Sequence, residues 1–141
     1  MIFAGINEEL GYLIKEVQHE LRTKMDKTLS SIGLTTPQYA VLSQLREYPG
    51  SSNADLARKS FVTPQTMNLI IKNLEERKLI IRTASASHGK IIKTEITREG
   101  LALSEKGNDL IFKVEEIIFG KLSQDETVRL KKLLMKLRNV K

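Results

Sequence analysis

Thr63-Pro-Gln-Thr-Met-Asn-Leu-Ile-Ile-Lys-Asn-Leu-Glu-Glu-Arg-Lys78 is the stretch around which this 141-residue chain is organised. Thr63 is a good N-cap, because its hydroxyl can accept a bond from a free first-turn N–H. Pro64 follows at the first helical position, where a missing N–H costs nothing. Met67, Ile70, Ile71 and Leu74 recur at helical spacing and predict one apolar face. At about 100° per residue, Gln65, Leu69, Lys72, Asn73 and Glu76 fall on the opposite face, with Thr66 at its edge. A plain surface helix would alternate charges there. This one offers amides, hydroxyls and a lone leucine in its first turns. Gln, Asn and Thr can read base edges, Lys can meet phosphate, and an apolar side chain can meet a thymine methyl. Taken alone, a solvated face with one stray Leu is the better explanation, and it is the flanking sequence that reverses the balance.

Charge favours nucleic acid. The net charge is +6. Between Ala54 and Arg98 there are nine Lys/Arg and four acids, a local net of +5, whereas the remainder carries fourteen basic and thirteen acidic residues. A local basic excess concentrates a polyanion nearby and supplies phosphate contacts. The chain has no Cys, which removes disulfides, thiol redox chemistry and thiolate metal sites together. The expected location is cytoplasmic: no apolar run approaches a membrane span and the N-terminus lacks a signal-peptide pattern.

Upstream, residues 7 to about 32 read as a long helix with a stripe of Leu10, Leu13, Ile14, Val17, Leu21 and Met25. Glutamates fill its front half and lysines its back half, in line with the helix dipole. Thr36-Pro37 predicts a second cap-plus-proline start, and Tyr48-Pro49-Gly50 a turn. Ser52 and Asp55 open a short helix in the manner of a capping box. Ser60-Phe61-Val62 then turns the chain into the Thr63 helix. Two short helices joined tightly, the second with a polar outer face, make a helix-turn-helix.

Downstream, Leu79–Thr83 and Ile91–Ile96 are β-prone, with a small, polar, Gly-containing loop between them. A hairpin directly after a helix-turn-helix is a wing, with Lys90 at its tip. Thr97 caps a helix over roughly 98–120, and Ser123 with Glu126 forms a capping box opening a last helix to about Asn139. The apolar stripes of these terminal helices exceed what one small domain needs. The economical explanation is a dimerisation module made from both ends of the chain; the plainer alternative is a monomeric helical core.

The fold class expected is therefore mainly α with a small β-hairpin wing. A winged helix-turn-helix over 35–97 is joined to a helical dimerisation region from 1–34 and 98–141. Interface residues are Leu10, Leu13, Val17, Ile117, Ile118, Leu130, Leu134 and Leu137. The DNA-binding set is Thr63, Pro64, Gln65, Thr66, Asn68, Leu69, Lys72 and Asn73, with Arg82, His88 and Lys90 from the wing.

The ordered set Leu34-Thr-Thr-Pro-Gln-Tyr-Ala-Val-Leu42, Asn53-Ala-Asp-Leu-Ala57, Thr63-Pro-Gln-Thr-Met-Asn68, Leu74-Glu-Glu-Arg-Lys-Leu-Ile-Ile-Arg82 and Glu95-Ile-Thr-Arg-Glu-Gly100 resembles the MarR family of transcriptional regulators over nearly the whole chain. The resemblance implies a homodimer with intertwined terminal helices, whose recognition helices enter successive major grooves of a pseudo-palindromic site. It also implies that small aromatic acids or phenolic compounds can bind between the two modules and weaken DNA binding. His19, Tyr39 and Phe112 are candidates to line such a pocket, with core packing or interface as the plainer role of each. The chain departs from the family twice. His88-Gly89-Lys90 stands where an Asp-Arg-Arg-like wing element is usual, and Lys lacks the planar fork suited to a narrow groove. Leu69 stands where a basic residue is common.

Enzyme chemistry finds no support. The two histidines, His19 and His88, are far apart, no phosphate-binding or nucleophile motif appears, and adjacent glutamates diverge by about 100° on their helices. No catalytic residue, metal site or cofactor is expected. The expected function is a dimeric, sequence-specific transcriptional regulator, foremost a repressor relieved by a small effector. The alternatives are a winged-helix protein–protein adaptor and a non-specific architectural DNA binder.

Overall fold

The computed structural model of the protein describes residues 8–84 and 92–138. The chain runs α1 (Leu10–Ser30), α2 (Thr36–Glu47), α3 (Asn53–Ser60), α4 (Pro64–Glu76), β1 (Ile80–Ala84), β2 (Ile92–Ile96), α5 (Arg98–Phe119) and α6 (Gln124–Leu137). This is the mainly helical fold with a β-hairpin that the sequence predicts. Ile91 and the segment expected to carry the wing tip, including His88 and Lys90, lie outside the described residues.

Helix starts follow local chemistry, with one correction. α2 is capped by Thr35, not Thr36: the Thr35 hydroxyl accepts from Gln38 N at 3.2 Å, and Gln38 Oε1 accepts from Thr35 N at 3.0 Å. Tandem threonines make either a plausible cap, and the full capping box selects the first. The Thr36 hydroxyl is left free to bond elsewhere. Ser52, Thr63, Thr97 and Ser123 cap α3, α4, α5 and α6 as expected. β1 begins one residue later than predicted. Leu79 stays in the turn, where its carbonyl accepts from Thr97 N at 3.0 Å and ties the entry of α5 to the exit of α4.

The two strands pair antiparallel, with Ile80 opposite Ile96 and Ala84 opposite Ile92. The core is Leu29, Leu34, Val41, Leu42, Leu45, Leu56, Met67, Ile71, Leu74, Ile80 and Ile111, contributed by α1 to α5 and β1. Met67, Ile71 and Leu74 seat α4 on this core, and Ile70 packs at its edge. α5 can lie close to the strand entry because residue 100 is glycine: a Cβ there would stand 2.1 Å from the Leu79 carbonyl oxygen. α6 contributes nothing to the core.

Candidate nucleic-acid interface

Helix α3 ends at Phe61, whose backbone takes the left-handed conformation at φ 57°, and Val62 N donates to Ala57 O at 3.2 Å. That turn reverses the chain into Thr63. The Thr63 hydroxyl accepts from Thr66 N at 3.1 Å and donates to Thr66 Oγ1 at 3.0 Å. A capped, proline-led first turn is rigid, and it holds the following side chains at fixed bearings.

Every residue predicted to face outward on α4 does so: Gln65, Thr66, Leu69, Lys72, Asn73 and Glu76 are all exposed, as are Pro64 and Asn68 of the expected DNA-binding set. Leu69 is 70% exposed on this otherwise polar surface. Two members also serve the scaffold. Asn68 Oδ1 accepts from Asn53 Nδ2 at 3.0 Å, bracing α4 against α3. Asn73 Oδ1 accepts from Gln38 Nε2 at 2.9 Å, bracing it against α2. Among the described residues, Gln65 and Lys72 make no such side-chain bond, which leaves them open to an external ligand. Beside the helix, Lys59 Nζ lies 3.5 Å above the Tyr48 ring, with Arg58 adjoining it in the last turn of α3.

Arg82 has a different setting from the α4 face. Its Nη2 bonds Glu75 Oε1 at 3.1 Å, and its Nε is buried without a partner. The guanidinium thus links β1 to the last turns of α4, a contact seven residues apart that charge counting cannot reveal.

A second feature lies between α1, α2 and α5. A cleft of about 350 Å³ is lined by Tyr39, Ser43, Arg46, Asn108 and Phe112 among others. Tyr39 and Phe112 therefore share one cavity, whereas His19 is exposed on α1 and does not line it. The Tyr39 hydroxyl donates to Asn108 Oδ1 at 3.2 Å, and Arg46 Nη1 donates to Ser104 Oγ at 3.1 Å. Ser43 Oγ is buried with no partner. Glycine at 107 admits the Tyr39 ring, since a Cβ would stand 2.7 Å from Tyr39 Cδ1. Aromatic walls, a half-buried guanidinium and an unsatisfied hydroxyl suit a small planar acid, against the exposed carboxylate of Glu115, which also lines the cleft. The sequence reading does not single out Ser43 or Arg46. Their spacing from Tyr39, four and seven residues along one helix face, is the signal that could have found them.

Over 128 residues the chain is 34% identical to the HTH-type transcriptional repressor Rv2887 of Mycobacterium tuberculosis, covering 91% of this chain and 92% of the relative. The chain belongs to the MarR family. The MarR family model itself matches residues 32–91. Two crystal structures of the same M. tuberculosis MarR family protein superpose on this MarR chain with a TM-score of 0.79. One is its complex with salicylic acid (33% identity, 94% of this chain and 98% of that one), the other its complex with DNA (30% identity, 93% and 98%). The winged-helix fold expected from the sequence is therefore the fold of this MarR chain. Among the described residues, no helix is long and apolar enough to cross a membrane.

Proposed function

We propose that this MarR-family protein is a homodimeric, sequence-specific DNA-binding transcriptional repressor whose hold on DNA is loosened by a small aromatic acid or phenol. The observation that carries the reading is the α4 surface. It is a rigidly capped helix presenting Gln65, Thr66, Leu69 and Lys72 to the outside, within a segment of net charge +5. Residues 35–97 act as the DNA-binding unit. Gln65 and Thr66 meet base edges and Leu69 a thymine methyl. Thr63, Pro64 and Lys72 lie along the phosphates, together with His88 and Lys90 of the wing. Asn68 and Arg82 adjoin this surface while bracing it. No catalytic step is assigned to the protein, and it acts where the DNA is, in the cytoplasm.

Residues 1–34 and 98–141 form the dimerisation unit. Leu10, Leu13, Val17, Ile117, Leu134 and Leu137 are exposed large apolar side chains in the single chain, and Ile118 and Leu130 are half-buried beside them. A second copy of these same helices covers them. The effector occupies the Tyr39–Phe112 cleft, its carboxylate on Arg46 and its ring against Tyr39 and Phe112. Because that cleft is walled by both α2 of the DNA-binding unit and α5 of the dimerisation unit, a ligand there bears on their relative position.

The test is binding to DNA from upstream of the protein's own gene and to random DNA, over a salt series. The repressor reading expects one short palindrome bound by two subunits, with an affinity that falls steeply with salt as counterions are released. A steep slope without sequence preference would instead identify an architectural binder, and no binding at any salt an adaptor. Adding salicylate should raise Kd for the palindrome in the native protein and leave it unchanged in Arg46→Ala.

A further inference from the structure

Between α1, the start of α2 and the outer flank of α4 lies an open cleft of about 570 Å³, lined by Arg22, Asp26, Gln38, Leu69, Ile70 and Asn73 among others. Where apolar side chains fill the space between helices, shape fixes their relative position. Across this cleft they do not fill it, and polar groups span it instead. Gln38 uses both ends of its amide. Its Oε1 accepts from Thr35 N at 3.0 Å, and its Nε2 donates to Asn73 Oδ1 at 2.9 Å. One residue away, the Thr36 hydroxyl donates to Asp26 Oδ1 at 2.5 Å, and Arg22 Nε donates to the same oxygen at 3.0 Å. The Thr36 hydroxyl above all holds the Asp26 carboxyl below its ordinary value, opposed by burial and assisted by Arg22. The first turn of α2 is thus bonded on one side to the dimerisation helix and on the other to the recognition helix.

We propose that this turn is a strut, and that Gln38 and Asn73 are positioning residues that set how far apart the two recognition helices of the dimer stand. The inference rests on the DNA-binding reading above and deepens it. Asn73 belongs to the outward face of α4, and its side-chain oxygen accepts from Gln38, which gives it a geometric part in operator recognition whatever its amide N–H groups meet. Two-fold DNA sites are measured by the separation of their half-sites, and a dimer matches one separation only as well as its recognition helices are held. A strut removed leaves α4 seated on the core through Met67, Ile71 and Leu74 but free to rock about that seat.

The experiment compares the native protein with Gln38→Ala, Asn73→Ala and the double variant by fluorescence anisotropy. The probes are the cognate palindrome, the same palindrome with one base pair inserted or deleted at its centre, and versions with each half-site base changed. Each single variant is expected to bind the palindrome about fivefold more weakly, as one hydrogen bond per subunit is lost. The double variant should be no weaker than the poorer single. All three should discriminate less against altered spacing while keeping the native order of base preference. Thr35→Ala serves as the control: it removes the other arm of the capping box, should lower Tm, and should leave spacing discrimination intact. The strut is overturned if Asn73→Ala relaxes preference at one base while Gln38→Ala does not, if the two losses multiply, or if spacing discrimination is unchanged. A native protein that does not distinguish the palindrome from random DNA overturns the parent reading, and the strut with it.

Discussion

From Leu29 to Ile80 the chain closes over its own apolar side chains, and Leu42, Leu45, Leu56, Met67, Ile71 and Leu74 are fully buried. Its ends behave otherwise. α6 buries no residue, and α1 buries only Leu29 near its C-terminus. Leu10 is 78% and Leu137 75% exposed. Both regions are built largely of helices, and α6 carries a full capping box as α2 does, although α1 has no side-chain cap at Glu9, so periodicity does not set them apart. What differs is whether a partner surface lies within the same chain. Helices α2, α3 and α4 pack on each other and on the hairpin. The front of α1 and the Leu130–Leu134 turn of α6 form an apolar groove with Leu13, Ile14, Val17 and Phe119 on its walls, the surface proposed above to be covered by a second copy.

The sharpest way to break this contrast is to charge the groove. Leu13→Asp combined with Leu134→Asp places uncompensated carboxylates in the proposed dimer interface, at a cost of about 3 kcal/mol or more per site, a dimer Kd raised at least about ten-thousandfold. Sedimentation should show monomers, while the thermal transition of the winged-helix core persists. Loss of that transition as well would mean that the two regions fold as one unit.

Gly100→Ala should have the next largest effect and the opposite pattern. The new Cβ would meet backbone, the Leu79 carbonyl at 2.1 Å, and also Ile96 Cγ1 at 2.9 Å, so no side-chain rotation relieves it. A loss of about 3 kcal/mol in urea unfolding is expected, with the isolated helical arms no less able to associate. A loss below about 1 kcal/mol would show that α5 can slide along the strand entry.

The smallest effect is a gain. Phe61 is 94% exposed and sits at φ 57°, where L side chains are strained. Phe61→Gly should stabilise the winged-helix region by about 1 kcal/mol in thermal or urea unfolding. A destabilised variant would reveal that the ring supports the turn through contacts absent from the isolated chain.

Much of the fold is legible in sequence because its signals are local. Thr63-Pro64, Ser52, Thr97 and the Ser123–Glu126 box each act within one helical turn, and all four mark real helix starts. The choice between Thr35 and Thr36 is lost because both can cap; the Thr35–Gln38 box decides it, and the freed Thr36 hydroxyl bonds Asp26, ten residues back. The outward face of α4 is legible, but the engagement of Asn73 by Gln38 is not, since 35 residues separate them. Arg82 announces a charge and conceals its partner Glu75. Gly100 and Gly107 look like weak points inside a helix, and only the third dimension shows them to be places where a carbonyl and the Tyr39 ring need the room. Tyr39 and Phe112 are each visible as candidates, yet Arg46, which shares their cleft, bonds Ser104 58 residues away and is missed.

The bare face of α6 carries a consequence in mass action. If association covers that face, as proposed above, the integrity of the helical arms depends on how much protein is present. Below the dimer's dissociation constant, the amount of dimer follows the square of the protomer concentration, and so does occupancy of a two-fold DNA site. Halving the supply of chain then costs about three-quarters of the dimer. In the proposed dimer, the protein would read its own abundance through this face, with no ligand needed.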